Sequence, residues 1–323
     1  MTVPVLRAFS RHYPEVKITV ISRPFFKPFF DEIPNVSFFD FDENVRHKGL
    51  RGLFRLFSDL KKLDVDAFAD LHNVIRSKVI TALFSLSGIK TATVDKARAQ
   101  KKALTRADNK IFKPLKPVTQ RHAEVFEKLG FRIDLSNSVF PKPRVMHSDV
   151  LTLTGTKTKS WIGIAPFAQY ESKVYPIDLM QIVIDKLAVE NTLFLFGSKS
   201  ELPTLNKLAS YNAAIIVVTG KLLFQQELEL ISNLDLMISM DSGNAHIAAM
   251  YGIKVVTLWG ATHPYSGFAP FGQPFGNAIT VDRNAYPLIP TSVYGNKNVD
   301  GYADAMRTIS PDEVVGKVAE LLQ

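Results

Sequence analysis

The chain has 323 residues, 39 Lys and Arg against 31 Asp and Glu, and no cysteine. That excludes a disulfide framework, a thiol nucleophile and any cysteine-ligated metal. A hydrophobic content of 46% and a charged content of 22% are those of a globular chain, long enough for two domains. No apolar run reaches the ~18 residues of a membrane span. The stretch Met1 to Phe9 has no basic region ahead of an apolar one, so the expectation is a cytoplasmic protein.

Charge is unevenly spread. Residues 1–150 hold 27 Lys and Arg against 16 Asp and Glu, whereas residues 151–323 hold 12 against 15. The excess points either to an anionic partner for the first half or to solubility alone. A nucleic-acid partner is not expected, because no recognised motif or aromatic-studded basic sheet accompanies the charge.

In chain order, Val16–Ile21 is a short β-branched run that reads as a strand. Leu50, Leu53, Phe54, Phe57 and Leu60 then recur at helical spacing, with Arg51, Arg55, Lys61 and Lys62 off the stripe. Two readings stand for this helix: core packing, or a membrane-surface helix. Asp64 and Asp66 mimic a metal-binding pair but sit just before a strand, Ala67–Leu71, and read as a surface loop. A helix over Val74–Leu86 follows. Lys96 to Lys116, basic and poor in apolar periodicity, reads as a mobile loop able to clamp an anion. Gln120–Leu129 is an amphipathic helix stopped by Gly130, and residues 133–159 form the best linker candidate.

Beyond the linker, Trp161–Ala165, Thr192–Phe196, Ile215–Val218, Leu236–Ser239 and Val255–Leu258 are near-continuous apolar strands. Helices fit at Ile177–Leu187, Gln225–Ser232 and Asn244–Met250. Such alternation predicts parallel sheets covered on both faces, giving two doubly wound α/β domains over residues 1–155 and 156–323. Ser310-Pro311-Asp312-Glu313 opens a last helix, with Ser as N-cap and Pro at the first position.

Three segments carry candidate chemistry. In Asp241-Ser242-Gly243-Asn244-Ala245-His246 a strand ends and a helix begins. Gly243 permits close approach to the backbone, and the free N–H groups suit a phosphate. Plain helix capping reads the same residues equally well. Thr262, in Gly260-Ala261-Thr262-His263-Pro264, ends the next strand and can reach the same ligand; a simple turn is the other reading. Lys173, just before a helix with Pro176 near its start, can set a point charge against a diphosphate.

Together these segments resemble glycosyltransferase family 9, the ADP-heptose:lipopolysaccharide heptosyltransferases. The family pattern reads here as Pro166-Phe-Ala168, Lys173-Val-Tyr-Pro176, Thr219-Gly220, Asp241-Ser-Gly-Asn-Ala-His246 and Gly260-Ala-Thr-His-Pro264, and the first half adds Asp70-Leu71-His72 with Arg76-Ser77. The resemblance implies a GT-B fold, two Rossmann-like domains facing across a cleft. It implies transfer of a heptose, with inversion, from an ADP-sugar to the lipopolysaccharide inner core, with no metal and no further cofactor. Lys173 would neutralise the leaving diphosphate. Asp241, Ser242, Gly243, Asn244, His246 and Thr262 would bind the nucleotide sugar, with Gln225 at the ribose where the family often has Glu. His72 and Arg76, with the basic loop 96–116, could meet an anionic acceptor at the inner face of the membrane; for Arg76 a structural ion pair is the other reading.

The chain also departs from the pattern. The family string opens with a strand and a Gly-Asp loop whose aspartate is the proposed general base, and this chain starts at the Met inside that string. The resemblance therefore implies that the first central strand and the base lie upstream of Met1. Either the start is an internal Met of a longer gene, or the protein is a short, impaired form. Some relatives interleave cysteines in the loop over residues 284–300, where Leu288 and Thr291 stand here, and the sequence assigns that loop no role. Two other functions stay open: a different GT-B sugar-nucleotide enzyme, and a non-catalytic sugar-nucleotide-binding remnant.

Overall fold

A computed structural model describes residues 1–209 and 212–323. It divides into two compact units. The first is Met1–Ala97 with Lys116–Val139, and the second is Arg98–Leu115 with Phe140–Gln323.

The first unit contains α1 (Thr2–His12), β1 (Ile18–Ser22), β2 (Val36–Asp40), α2 (Gly49–Lys61), β3 (Ala67–Asp70), α3 (Ile75–Leu86), β4 (Lys90–Thr93) and, after a chain excursion through α4 (Arg98–Thr105), helix α5 (Val118–Leu129). Its strands form two separate parallel pairs, β1 with β2 and β3 with β4. No ladder joins the two pairs among the described residues, so the sheet is interrupted between them. Side chains bridge the interruption: Leu53, Leu56 and Leu60 of α2 and Ile80 and Phe84 of α3 pack with Ile21, Phe39 and Phe68 of the strands. Gly52 lets α2 begin tightly, because a Cβ there would lie 2.2 Å from the His47 carbonyl carbon. As expected, α5 stops at Gly130, whose φ of 108° is left-handed.

The apolar stripe of α2 divides. Leu53 and Leu60 enter the core, as one reading expected, but Leu50 and Phe54 point outward, 73% and 57% exposed.

The second unit holds α6 (Ser148–Thr154), β5 (Trp161–Ala165), α7 (Ile177–Leu187), β6 (Thr192–Leu195), α8 (Leu202–Ala209), β7 (Ile215–Val217), α9 (Phe224–Ser232), β8 (Leu236–Met240), α10 (Gly243–Met250), β9 (Lys254–Trp259), β10 (Ala278–Thr280) and α11 (Pro311–Leu322). Its six strands are all parallel, in the order β7-β6-β5-β8-β9-β10. Counting from β5 this is 3-2-1-4-5-6, the Rossmann order. β5 and β8 are buried at every residue, which is why their sequences are unbroken apolar runs. The Ser310 hydroxyl accepts from the Glu313 N–H at 3.1 Å, so α11 opens as its sequence predicts.

The chain passes into the second unit at Phe140, ahead of the expected boundary at 155. The reason is α6, a helix inside the expected linker. His147 donates its backbone N–H to buried Glu229 at 3.0 Å, and Gln226 donates to Asp149 at 2.8 Å, fixing α6 on α9. No helix among the described residues is long and apolar enough to cross a membrane.

Candidate functional site

In the Rossmann order, neighbouring strands diverge in direction of winding between β5 and β8, and ligands settle beyond the carboxyl ends there. A cavity of about 250 Å³ lies at that point, lined by Ala165 and Gln169 after β5, Phe196 to Glu201 after β6, and Ser242 to Asn244 at the start of α10. A larger cavity of about 390 Å³, bordered by Ser160, Asp235 and Lys254, opens at the other end of the strands, where no helix N-terminus is presented. The first is therefore the candidate site. Gly243 is the first residue of α10, and a Cβ placed on it would meet nothing within 4 Å. The glycine is thus not required by packing; it leaves a bare helix start open to the cavity. Ser242 turns its hydroxyl to Ser239, 2.9 Å away.

Beside this cradle three predicted residues meet. Lys173 Nζ donates to Asp241 Oδ2 at 3.1 Å, and Thr262 Oγ1 donates to the same oxygen at 2.9 Å. All three side chains are buried. Asp241 therefore holds Lys173 and Thr262 in place rather than meeting an anion itself, which its own charge would repel. The ammonium has three donors and Asp241 takes one.

The 288–296 loop gains a function that the sequence did not disclose. Thr291 N–H donates to the Ala261 carbonyl at 3.0 Å, and Ser172 Oγ donates to the Gly295 carbonyl at 2.6 Å. Gly295 has a φ of 87°, and a Cβ on it would lie 2.7 Å from both Cγ and Cδ of Lys173. The loop thus lies directly on the lysine stem.

His246, one turn into α10, is half-buried, and its Nδ1 is buried without a hydrogen-bond partner. Burial, with the nearby Lys173 charge adding to it, pulls its pKa down to about 3, so the ring is neutral at pH 7. Gln225 does not join the group. It is exposed on α9, which follows β7, two strands away from β5, and it does not line the cavity. Glu201 lines it instead, its carboxylate held by the Ser198 N–H at 2.6 Å.

In the first unit, buried Asp70 ends β3 and accepts from the backbone N–H groups of His72 and Asn73, at 2.9 and 2.7 Å, and from Ser77 Oγ at 3.0 Å. This is the physical content of the Asp70-Leu71-His72…Arg76-Ser77 pattern: one carboxylate organises the turn into α3. His72 is exposed, its pKa lowered by desolvation and by the charge of Lys96. Arg76 pairs with Glu43 at 2.7 Å and lies over the Phe41 ring.

The basic segment Lys96–Lys116 is not the mobile clamp its composition suggested. It contains α4, and much of it is held within the second unit. Lys110 Nζ donates to the carbonyls of Leu104, Leu288 and Pro290, Lys101 lies over Phe268, and the Arg283 guanidinium stacks on Phe112 at 3.5 Å.

Comparison with known proteins agrees with this geometry. The model of glycosyltransferase family 9 (heptosyltransferase) matches residues 53–298. Lipopolysaccharide heptosyltransferase 3 of Escherichia coli is 23% identical over 309 residues, covering 92% of this chain and 89% of that protein. Lipopolysaccharide heptosyltransferase 1 of Campylobacter coli is 22% identical, with 86% and 82% covered. Among solved structures, the family 9 glycosyl transferase of Veillonella parvula superposes with a TM-score of 0.75 at 18% identity, covering 99% of this chain and 92% of that one. The E. coli ADP-heptose lps heptosyltransferase II gives 0.69 at 17%, with 99% and 94% covered. The fold is the two-unit, Rossmann-like α/β architecture of the GT-B class.

Proposed function

This chain belongs to glycosyltransferase family 9, the heptosyltransferase family, and is a glycosyltransferase; from that premise we propose that it moves a heptose from an ADP-sugar onto the lipopolysaccharide inner core. The observation that carries the reading is the pairing of the α10 cradle at Gly243 with the Lys173–Asp241–Thr262 cluster beside it.

In this reading the diphosphate lies on the start of α10, where backbone N–H groups and the helix dipole favour negative charge. Asn244 adds a side-chain donor there, and neutral His246 adds a ring N–H. The acceptor hydroxyl oxygen adds to the anomeric carbon from the face opposite the diphosphate as its O–H bond breaks, the proton passing to solvent water. The bond from that carbon to the diphosphate oxygen breaks, and its electron pair leaves on the nucleotide. Lys173, already positioned and largely out of water, faces the growing charge with donors that Asp241 does not use. Preorganised donors of this kind supply the largest single share of many rate enhancements. Glu201 accepts the ribose hydroxyls, and no cofactor beyond the donor is assigned.

The acceptor side is assigned to the first unit, where His72 and Arg76 stand at the end of β3. Its net positive charge suits a phosphorylated, carboxylated sugar core. Support comes from the relatives named above, which are lipopolysaccharide heptosyltransferases, and from the E. coli heptosyltransferase WaaC, solved with ADP at a TM-score of 0.64.

The test pairs binding with transfer. ADP should raise the melting temperature of the purified chain while UDP leaves it unchanged. ADP-heptose with heptose-deficient lipopolysaccharide should then release ADP. Stabilisation by UDP alone overturns the donor assignment, and ADP binding without transfer to any core acceptor overturns the activity.

A further inference from the structure

The outward face of α2 combines features that neither the core nor the nucleotide site uses. At 100° per residue, Leu50, Lys61, Phe54, Ser58, Arg51, Lys62 and Arg55 fall in that order across about 140° of the helix surface. Leu50 and Phe54 are 73% and 57% exposed, one turn apart. Lys48, Arg51, Arg55 and Lys61 are exposed, and their side chains make no hydrogen bond or ion pair among the described residues. The helix has one carboxylate, Asp59. It is turned to the flank and already held by Arg46 at 2.8 Å, with Lys62 at 3.4 Å. The core side is closed separately by Leu53, Leu56 and Leu60.

We propose that this face is a docking surface for an anionic lipid bilayer. The charge complementarity is one-sided: Arg51, Arg55 and Lys61 on the helix and Lys48 at its N-cap are four uncompensated cations, with no free acid among them. A soluble phosphate or a nucleic acid would account for the cations but not for a leucine and a phenylalanine standing in water. A bilayer accounts for both, since the apolar pair enters the acyl boundary while arginine and lysine stems reach back to the headgroups. The axis of α2 would then lie along the membrane plane. The inference does not depend on the donor sugar or on lipopolysaccharide, because the surface reads bilayer charge and acyl boundary alone.

The test is cosedimentation of the full chain with vesicles free of lipopolysaccharide. Binding to phosphatidylglycerol vesicles should exceed binding to phosphatidylcholine vesicles by about tenfold or more and fall with salt. Arg51→Glu with Arg55→Glu should abolish it. Leu50→Ser with Phe54→Ser should reduce it about tenfold at low salt, with the melting temperature unchanged. A Phe54→Trp chain should show a blue-shifted emission on adding acidic vesicles, since Trp161 and Trp259 are already buried. Absence of binding, full binding by the serine variant, or an unshifted emission from the Phe54→Trp chain overturns the proposal. So does finding that the serine variant converts a dimer to a monomer, or that RNA displaces the acidic vesicles.

Discussion

Lys173 and Asp241, 68 residues apart in sequence, are brought within 3.1 Å of each other because their strands β5 and β8 are neighbours at the switch point of the sheet. The pair is buried, and the same carboxylate oxygen also receives Thr262. The two members therefore do different work, and removing each should fail in a different way. Lys173→Ala removes the donor to the leaving diphosphate, so kcat should fall about 10²- to 10³-fold with ADP affinity changed far less. Asp241→Ala leaves a buried ammonium without its partner and should cost roughly 3–5 kcal/mol of stability. Lys173→Ala also leaves the buried Asp241 carboxylate without its cation, so both variants should melt lower; steady-state kinetics on the folded fraction check the role of the lysine, and an undiminished kcat in Lys173→Ala would contradict it.

Gly243 offers a cleaner separation of binding from folding. A Cβ there meets nothing within 4 Å, so Gly243→Ala should leave stability within about 1 kcal/mol of the parent. The same methyl projects where the diphosphate is placed, so ADP affinity should drop by about tenfold or more. Isothermal titration on a folded variant decides it, and undiminished ADP binding would move the phosphate away from α10.

The ribose assignment is tested by two glutamate and glutamine positions. Glu201→Gln keeps an oxygen for the Ser198 N–H but loses the charge, and ADP affinity should weaken about ten- to a hundredfold. Gln225→Ala, out on α9, should change it less than about twofold. The reverse ranking would restore the sequence-based assignment of Gln225.

Glu227 gives a pH dependence with a definite sign. Burial raises its pKa from 4.5 to about 7 in the folded protein. The folded state then holds a proton that the unfolded state releases, so this contribution is complete below about pH 4.5 and is lost as pH rises through about 7. Glu227→Gln should therefore melt higher than the parent at pH 8, by roughly 1–3 kcal/mol after allowance for solvent, and equally at pH 4. Melting curves at the two pH values read the difference directly, and a variant weaker at pH 8 would refute the assignment.

What could be read from the sequence follows burial. Strands β5 and β8, covered on both faces, appear as WIGIA and LMISM, and their bounds were legible almost to the residue. The four strands of the first unit are half-buried and carry mixed patterns such as VSFFD and KTAT, so β2 and β4 gave no clear signal. The meeting of Lys173, Asp241 and Thr262 was legible because each follows a strand of one parallel sheet. The place of Glu201 on the cavity was not, because linear order cannot tell that β6 borders β5 while β7 is the outer strand. The loop over the lysine stem was equally silent, since its hold comes from two carbonyls and the bare Cα of Gly295.

The missing ladder between the two strand pairs leaves side chains as their link. A continuous ladder passes a displacement of one strand directly to the next, whereas here the β1–β2 pair transmits force to β3–β4 through the side chains of α2 and α3. Helix α2 bears on this link from inside through Leu53, Leu56 and Leu60 and presents its basic face outside. The helix whose outer face is basic is thus also the one whose inner leucines share a core with both strand pairs, including β3, which leads to His72 and Arg76.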